Sequence, residues 1–159
     1  MLPNGIIGDL FGPVEGCRHD AAMLRESELV SRLRQQFVQP DGTTYRLFGD
    51  PAYPVSKYLL APFGGATKTK DQEAWNKRMS RVRQSVEWGF GNIVLKFAFL
   101  DYKKNQKIYL QPVGVYYMVG VLLVNCHNCL YSNIVSQYFS CHPPVLEVYL
   151  GKKVPTLVD

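Results

Sequence analysis

Cysteine is scarce in this sequence, and no apolar run opens it. Four cysteines in 159 residues are too few for the disulfide scaffold of a small secreted domain, so we expect reduced thiols in an intracellular protein. The N-terminal residues lack the basic segment and apolar run of a signal peptide. Charged residues make up 19% and apolar residues 47% of the chain, which excludes a disordered class and indicates about one globular domain.

Charge is absent from a long stretch of the C-terminal half. Asp, Glu, Lys and Arg do not occur in residues 108–146, and residues 113–124 are almost wholly apolar. A membrane-spanning helix needs about 20 apolar residues, whereas this run is followed at once by Asn125. We therefore expect a buried helix of an α/β domain at residues 112–131, and no membrane segment.

Alternating strand and helix signals predict an α/β layer arrangement. The predicted strands are residues 6–11 and 45–48. The predicted helices are residues 20–37, 71–100 and 112–131. Asp20 is a favourable N-cap residue for the first of these helices. Residues 51–70 are expected to be irregular, and residues 132–159 to form a loose tail that contains proline.

The first predicted strand directly follows a turn at residues 2–5, in which Pro3 and the Asn4-Gly5 pair are typical turn residues. A hairpin needs a strand on both sides of its turn, and only Met1 and Leu2 come earlier. The sequence thus leads us to expect a chain that begins inside a β-hairpin, with an earlier strand missing.

The most regular pattern is an apolar stripe from Trp75 to Phe97 with steps of three and four residues, the period of an α-helix. The other side of this helix is basic, and the whole chain carries a net charge of +5. Such a surface suits the phosphates of nucleic acid, and the alternative is a solvated charged face. The candidate nucleic-acid-binding residues are Arg78, Arg81 and Arg83. Lysines at 96, 103, 104 and 107 extend the basic set.

Asp50 is the first candidate for chemistry. It follows the predicted strand at residues 45–48 and begins the segment Asp50-Pro51-Ala52-Tyr53-Pro54. Ligands of α/β proteins bind outside the carboxyl ends of strands, and a carboxylate there suits a divalent cation. The alternative is an Asx-turn, in which Asp50 accepts a hydrogen bond from its own downstream backbone.

Glu87 is the second candidate, one position off the apolar stripe of the long helix. Arg83 lies four residues earlier and could pair with it, so a solvated helix residue in an ion pair is the alternative. Gly89 and Gly91 weaken that alternative. Each costs about 1 kcal/mol relative to Ala inside a helix, which predicts a close approach of the backbone to a neighbour.

Cysteine and histidine near the C-terminus suggest a third possibility, a zinc-binding module. Its ligands would come from Cys126, His127, Cys129, Cys141 and His142. However, the Cys126-x-x-Cys129 pair ends an apolar helix, where buried free cysteine is the more common state.

Four segments resemble, in order, the signatures of the DDE-superfamily endonucleases of PIF/Harbinger-type transposases. They are Gly12-Pro13-Val14-Glu15-Gly16-Cys17-Arg18-His19-Asp20, Gly49-Asp50-Pro51-Ala52-Tyr53-Pro54, Arg83-Gln84-Ser85-Val86-Glu87-Trp88-Gly89-Phe90-Gly91 and Asn125-Cys126-His127-Asn128. The resemblance covers roughly residues 5–131. It implies a partial endonuclease domain at residues 1–131 that lacks its first strands, followed by the tail.

The resemblance implies an RNase H-like fold, with a truncated mixed sheet flanked by helices. It also implies three catalytic acids that hold two Mg²⁺ or Mn²⁺ ions for phosphodiester cleavage and strand transfer. Asp50 matches the second acid and Glu87 the third. The first acid belongs on a strand that this sequence lacks, so we expect the chain to be inactive alone. His19 and Asp20 match a further family pattern, in which Asp20 is a helix cap and an active-site neighbour.

DNA is the partner that the resemblance implies, in the nucleus, with no membrane. A homo-oligomer or a separate DNA-binding partner protein fits the same family. The alternative function, from a different class, is a catalytically dead transposase remnant that acts as a DNA- or protein-binding module.

Overall fold

The structure, a computed structural model, describes residues 1–14, 18–101 and 112–152. It is dominated by helices and contains a small two-stranded parallel sheet, which is compatible with an α/β fold. The chain divides into two compact units. Unit 1 comprises residues 1–13 and 85–159, and unit 2 comprises residues 14–84. The basic segment at residues 103–107 lies outside the described residues.

The elements, in chain order, are six helices, two strands and one 3₁₀ turn within the described residues. They are α1 (Asp20–Glu26), α2 (Leu29–Gln36), β1 (Leu47–Phe48), β2 (Leu59–Leu60), α3 (Lys70–Lys96), the 3₁₀ turn (Ala98–Leu100), α4 (Val113–Leu130), α5 (Ile134–Phe139) and α6 (Leu146–Tyr149).

In unit 2, the single helix expected at residues 20–37 is two helices, α1 and α2. Glu28 adopts a left-handed conformation with φ of 51°, which interrupts the helical path. Ser27 stabilises the break, because its hydroxyl donates to the Leu24 carbonyl and accepts from the Leu29 amide. The predicted N-cap is also wrong. His19 holds that position without a side-chain cap, and Asp20 is the first helical residue.

The strand predicted at residues 45–48 forms, but only Leu47 and Phe48 belong to it. β2 lies in the segment expected to be irregular, and it pairs in parallel with β1, Leu47 opposite Leu59 and Phe48 opposite Leu60. Leu59 is 5% exposed, so its burial inside unit 2 offsets the weak local strand signal.

The long helix predicted at residues 71–100 is confirmed as α3, which ends four residues early at Lys96. Met79 in unit 2 and Ile93 in unit 1 are buried, 2% and 0% exposed. The close approach predicted for the two glycines occurs at one of them. A Cβ at Gly89 would collide with the Met1 side chain, whereas a Cβ at Gly91 would meet open space.

The core of unit 1 forms where α3, the 3₁₀ turn and α4 meet. Its buried side chains are Ile7, Ile93, Leu100, Val121 and Val124. A Cβ at Gly120 would lie 2.6 Å from the Leu100 side chain, so this glycine lets α4 approach the 3₁₀ turn.

Helix α4 confirms the predicted helix but is buried on one face only. Its buried residues are Gly120, Val121, Val124, Asn125 and Asn128. Apolar side chains on the rest of its surface are 41–50% exposed, namely Val115, Tyr116, Met118, Val119, Leu122 and Leu123. The expectation of a buried helix therefore holds for one face of α4 only. By length and composition alone, α4 also qualifies as a candidate membrane span, which is weak evidence.

The N-terminal segment of unit 1 is held by amide side chains instead of a strand ladder. The turn at residues 2–5 forms, with Gly5 at φ of 80°, but residues 6–11 form no strand. The Ile7 N–H donates to the Asn125 Oδ1 at 2.9 Å, and the Asn125 Nδ2 donates to the Ile7 carbonyl at 3.0 Å. The Asn128 Nδ2 donates to the Gly5 carbonyl at 2.9 Å.

Residues 132–152 are not the loose tail that the sequence led us to expect. Asn133 caps α5 in a capping box with Ser136, and Val135 is 3% exposed. The Tyr149 hydroxyl of α6 accepts a hydrogen bond from the Asn125 Nδ2 at 3.0 Å. The contacts of these two helices with the rest of unit 1 hold the segment in place, although its prolines favour irregular structure.

Asn125→Ala is expected to destabilise the chain by about 2–4 kcal/mol. The change leaves the buried N–H and C=O of Ile7 without partners, and unsatisfied buried polar groups are costly. Urea unfolding followed by circular dichroism measures the loss. Asn92→Ala, a change of the same size on α3, is the control and is expected to cost less than about 1 kcal/mol. Equal losses in the two variants would contradict this account of Asn125.

Candidate functional site

Asp50 lies at the carboxyl end of β1, as the sequence predicted. The sheet continues to the residue before it, since the Gly49 amide donates to the Leu60 carbonyl at 2.7 Å. A Cβ at Gly49 would lie 2.9 Å from the Tyr53 ring and 3.1 Å from the Leu59 side chain. Glycine at position 49 thus lets the chain turn sharply after β1 and expose Asp50 at the sheet edge.

Both carboxylate oxygens of Asp50 have partners within unit 2. Oδ1 accepts from the Ala52 amide at 3.2 Å, which is the Asx-turn considered above. Oδ2 accepts from the Arg83 Nη2 at 2.7 Å in an ion pair. Arg83 therefore pairs with Asp50. The spacing of four residues along the helix had suggested Glu87 as its partner instead. The carboxylate is fixed by a backbone donor on one side and a guanidinium on the other.

Tyr53 belongs to the turn that follows β1, because its amide donates to the Asp50 carbonyl at 3.0 Å. Partial burial, and then the negative charges of Asp20 and Asp50, raise the pKa of Tyr53, while the charge of Arg83 acts in the opposite direction. Burial is thus the first cause that sets the ionisation of Tyr53, and the surrounding charges of unit 2 come second.

Glu87 belongs to unit 1, where it lies on the C-terminal part of α3. Its side chain is exposed, and it has no hydrogen-bond or ion-pair partner among the residues that the structure describes. An unpaired, solvated carboxylate is free to bind a cation. Its role as the second metal ligand stays a prediction.

The candidate nucleic-acid-binding arginines differ in their partners. Arg78 and Arg81 are exposed, and neither has an acidic partner in the described part of the chain. Arg83 is half-buried and occupied by Asp50. Near Arg78 on α3, the exposed Trp75 packs edge-to-face on Phe48 of β1, with ring centroids 6.3 Å apart. Within the described residues, Arg78 and Arg81 therefore keep charges that no acidic side chain neutralises.

The described residues, as arranged, do not fit a divalent cation. Within residues 1–14, 18–101 and 112–152, no three His, Cys, Asp or Glu side chains come together to hold a metal ion. The Asp50 Oδ2 is already bound by Arg83. The same finding weighs against the zinc module, since Cys126, Cys129 and Cys141 are free and form no such group.

His127 of α4 is bonded to a cation through one nitrogen and lacks a partner at the other. Its Nε2 lies 3.0 Å from the Lys96 Nζ, and its Nδ1 is buried without a hydrogen bond. An ammonium can only donate, so Nε2 accepts and the ring is neutral with its proton on Nδ1. Burial, and then the charge of Lys96, lower the pKa of His127.

The family model described as DDE superfamily endonuclease matches residues 1–125. The chain belongs to the DDE superfamily endonucleases. No curated protein and no solved structure matches it significantly. Membership supports a transposase-like nuclease with DNA as its substrate, in a family that generally uses divalent metal ions.

Sequence reasoning about this DDE superfamily endonuclease missed two relationships. The pairing of Asp50 with Arg83 had no local signal, because it joins residues far apart in the chain. The buried role of Asn125 and Asn128 did have a signal. Two amides three residues apart in an otherwise apolar helix indicate buried polar groups, and such groups need hydrogen-bond partners.

Lys96→Gln is expected to raise the pKa of His127 toward its ordinary value of 6.5, but not to reach it, because burial is the larger cause. The folded-state pKa lies below the unfolded one. His127 therefore stabilises the fold above about pH 6.5, and this contribution is lost as the pH falls through the folded-state pKa. Nuclear magnetic resonance titration of the imidazole measures the shift. Lys77→Gln is the control, and a shift of the same size in both variants would contradict the assignment.

Proposed function

We propose that this chain is the nuclease part of a PIF/Harbinger-type transposase with an RNase H-like fold. Family membership over residues 1–125 is the observation that carries the proposal. The parallel pairing of β1 and β2 and the position of Asp50 at the carboxyl end of β1 support it. Parallel strands followed by a catalytic carboxylate are what an RNase H-like sheet requires.

Asp50 and Glu87 are the proposed catalytic acids and ligands of Mg²⁺ or Mn²⁺, for cleavage of DNA phosphodiesters and strand transfer. Two supports are the location of Asp50 outside a strand end and the exposed carboxylate of Glu87, which has no partner within residues 1–14, 18–101 and 112–152. Asp50 and Glu87 would hold the divalent ions, which would supply Lewis-acid stabilisation of the charge that develops on the scissile phosphate. The residues of this chain would supply oxygen ligands of the kind that Mg²⁺ prefers.

The 159 residues alone are proposed to cleave DNA poorly or not at all. The described residues contain no group of three metal ligands, and Arg83 is bound to one of the two assigned acids. Two carboxylates, one of them paired with a guanidinium, hold a divalent ion only weakly. A further acid, which the family places on the first strand, is needed for the two-ion site.

A DNA- or protein-binding remnant is the second candidate function. The ion pair between Asp50 and Arg83 favours it, because a carboxylate that has lost its metal role is expected to keep a structural partner. The free charges of Arg78 and Arg81 suit DNA phosphates in either function. Residence in the nucleus, and either self-association or a separate DNA-binding partner, follow from the proposed transposase family.

The intact protein that contains this chain is expected to nick supercoiled DNA in the presence of Mn²⁺. Asp50→Ala and Glu87→Ala are each expected to lower the rate at least about 100-fold, since each removes a ligand of the ions that stabilise transition-state charge. Agarose gels that follow plasmid nicking measure the rate. Glu73→Ala, which removes an exposed acid from the first turn of α3, is the control. Retained nicking in both site variants would refute the assignment of the acids.

DNA binding by the chain is expected to weaken as salt rises, because bound cations of the protein release counterions from the phosphates. Arg78→Gln and Arg81→Gln should each weaken binding without regard to sequence and reduce the slope of log K against log salt by about 0.9. Fluorescence anisotropy over a range of KCl concentrations measures this slope. Arg34→Gln, an exposed position on α2, is the control, and an equal loss there would remove α3 as the binding surface.

A further inference from the structure

Helix α4 carries apolar side chains on two opposite sides. The inner side is buried in unit 1 and includes Val121 and Val124. Successive residues of an α-helix turn by about 100°, so Leu122 lies on the side opposite to Val124. We call this side the outer face. Its residues, each 41–50% exposed, are Val115, Tyr116, Met118, Val119, Leu122 and Leu123. A helix that is apolar all round is ordinarily buried on every side.

The spacing of the outer face suits a second helix. Val115, Val119 and Leu122 follow one another at steps of four and three residues, which is the spacing of the apolar seam between paired helices. Met118 and Leu123 border this seam. No Asp, Glu, Lys or Arg occurs in α4, so a helix that docks on the outer face buries no charged side chain of α4.

We propose that the outer face of α4 binds the same face of a second copy of this chain, in an antiparallel pair with two-fold symmetry. The whole chain carries a net charge of +5, so two copies repel one another. An uncharged face lets them meet without like charges in contact. A two-fold axis across the seam places the same residues on both sides of the interface, and the antiparallel helix dipoles then oppose one another.

The exposed area of this face is in the range that a dimer needs. The six side chains together present on the order of 500 Å². Phe99, 52% exposed, extends the face near the start of α4, where its ring packs edge-to-face on Tyr116 with centroids 6.4 Å apart. Leu130, 59% exposed, extends it at the end of the helix. Burial on both copies then removes roughly 1,000–1,400 Å² from water, the low end for specific interfaces. We therefore expect a reversible dimer with a micromolar Kd.

A lipid bilayer is the other apolar environment for such a helix, and the inner side of α4 argues against it. Asn125 and Asn128 hold the backbone of Ile7 and Gly5 through hydrogen bonds, which a membrane-spanning α4 would have to give up. A helix that lies on a lipid surface carries Lys or Arg on its polar side, and α4 has neither. These observations favour a second copy.

Sedimentation velocity of the whole chain, under reducing conditions and over a range of protein concentrations, tests the proposal. Val119→Asp is expected to raise the dimer Kd at least about tenfold, because it places an unpaired carboxylate from each copy in an apolar interface. Val119→Ile should stay within threefold of the unaltered chain. Leu95→Asp is the matched control, the same kind of change at an 83% exposed position of α3, and should leave the Kd within twofold.

Salt and magnetic resonance give two further readouts. KCl at 0.5 M should leave the dimer unchanged or tighten it, since salt screens the repulsion between the two positive copies. In a mixture of isotope-labelled and unlabelled chains, nuclear Overhauser contacts between copies should join the methyl groups of Val119 and Leu122, which lie near the two-fold axis. Thermal melts of the variants verify that they are folded, as expected for changes at exposed positions.

Three outcomes would overturn the inference. They are a monomer at every concentration, an equal loss of affinity in Val119→Asp and Leu95→Asp, and contacts between copies that avoid α4. Co-sedimentation of a monomeric chain with phosphatidylcholine vesicles, abolished by Val119→Asp, would assign the face to lipid instead. The inference deepens the self-association within the proposed function, but the two fail separately. A monomeric chain whose intact parent nicks DNA loses only the dimer, whereas a dimer whose parent does not nick DNA loses only the nuclease.

Discussion

The buried amide of Asn125 is the interaction on which unit 1 depends. The segment at Ile7 has no neighbouring strand among the described residues, so its backbone needs other partners. Asn125 supplies a donor and an acceptor from one side chain, and Asn128 adds a donor for Gly5. Because Asn125 also binds Tyr149 of α6, a single 2% exposed residue ties the two ends of the described chain to the middle of α4.

In unit 2, the side chain of Asp50 likewise joins segments that are distant in the sequence, since it binds Arg83 of α3. The short parallel pairing of β1 with β2 ends at Gly49 and leaves the next carboxylate outside the strand end. That carboxylate is partly exposed to solvent and forms an ion pair with Arg83 of α3. This ion pair joins β1 to α3 within unit 2.

The two long helices were predictable because their signals are local and repeat many times. In α3 the apolar stripe spans the helix, and in α4 the run of apolar residues begins at a proline. Shorter elements were not predictable. One left-handed residue, Glu28, splits the expected first helix, and two residues of β2 owe their strand conformation to pairing with β1. Such outcomes depend on contacts between segments, which propensity does not describe.

From sequence alone came the family signatures, the two candidate acids and the basic face of α3, because each is carried by residue types at fixed spacings. Tertiary structure alone decided which face of α4 is buried and which acid Arg83 binds. Along the helix Arg83 stands one turn from Glu87, whereas Asp50 is distant in the chain. The choice of Asp50 follows from the packing of β1 beside α3, shown by Phe48 against Trp75. A hydrogen-bonded carboxylate held in place by a turn is a better partner than a freely moving one, since less side-chain entropy is lost on pairing.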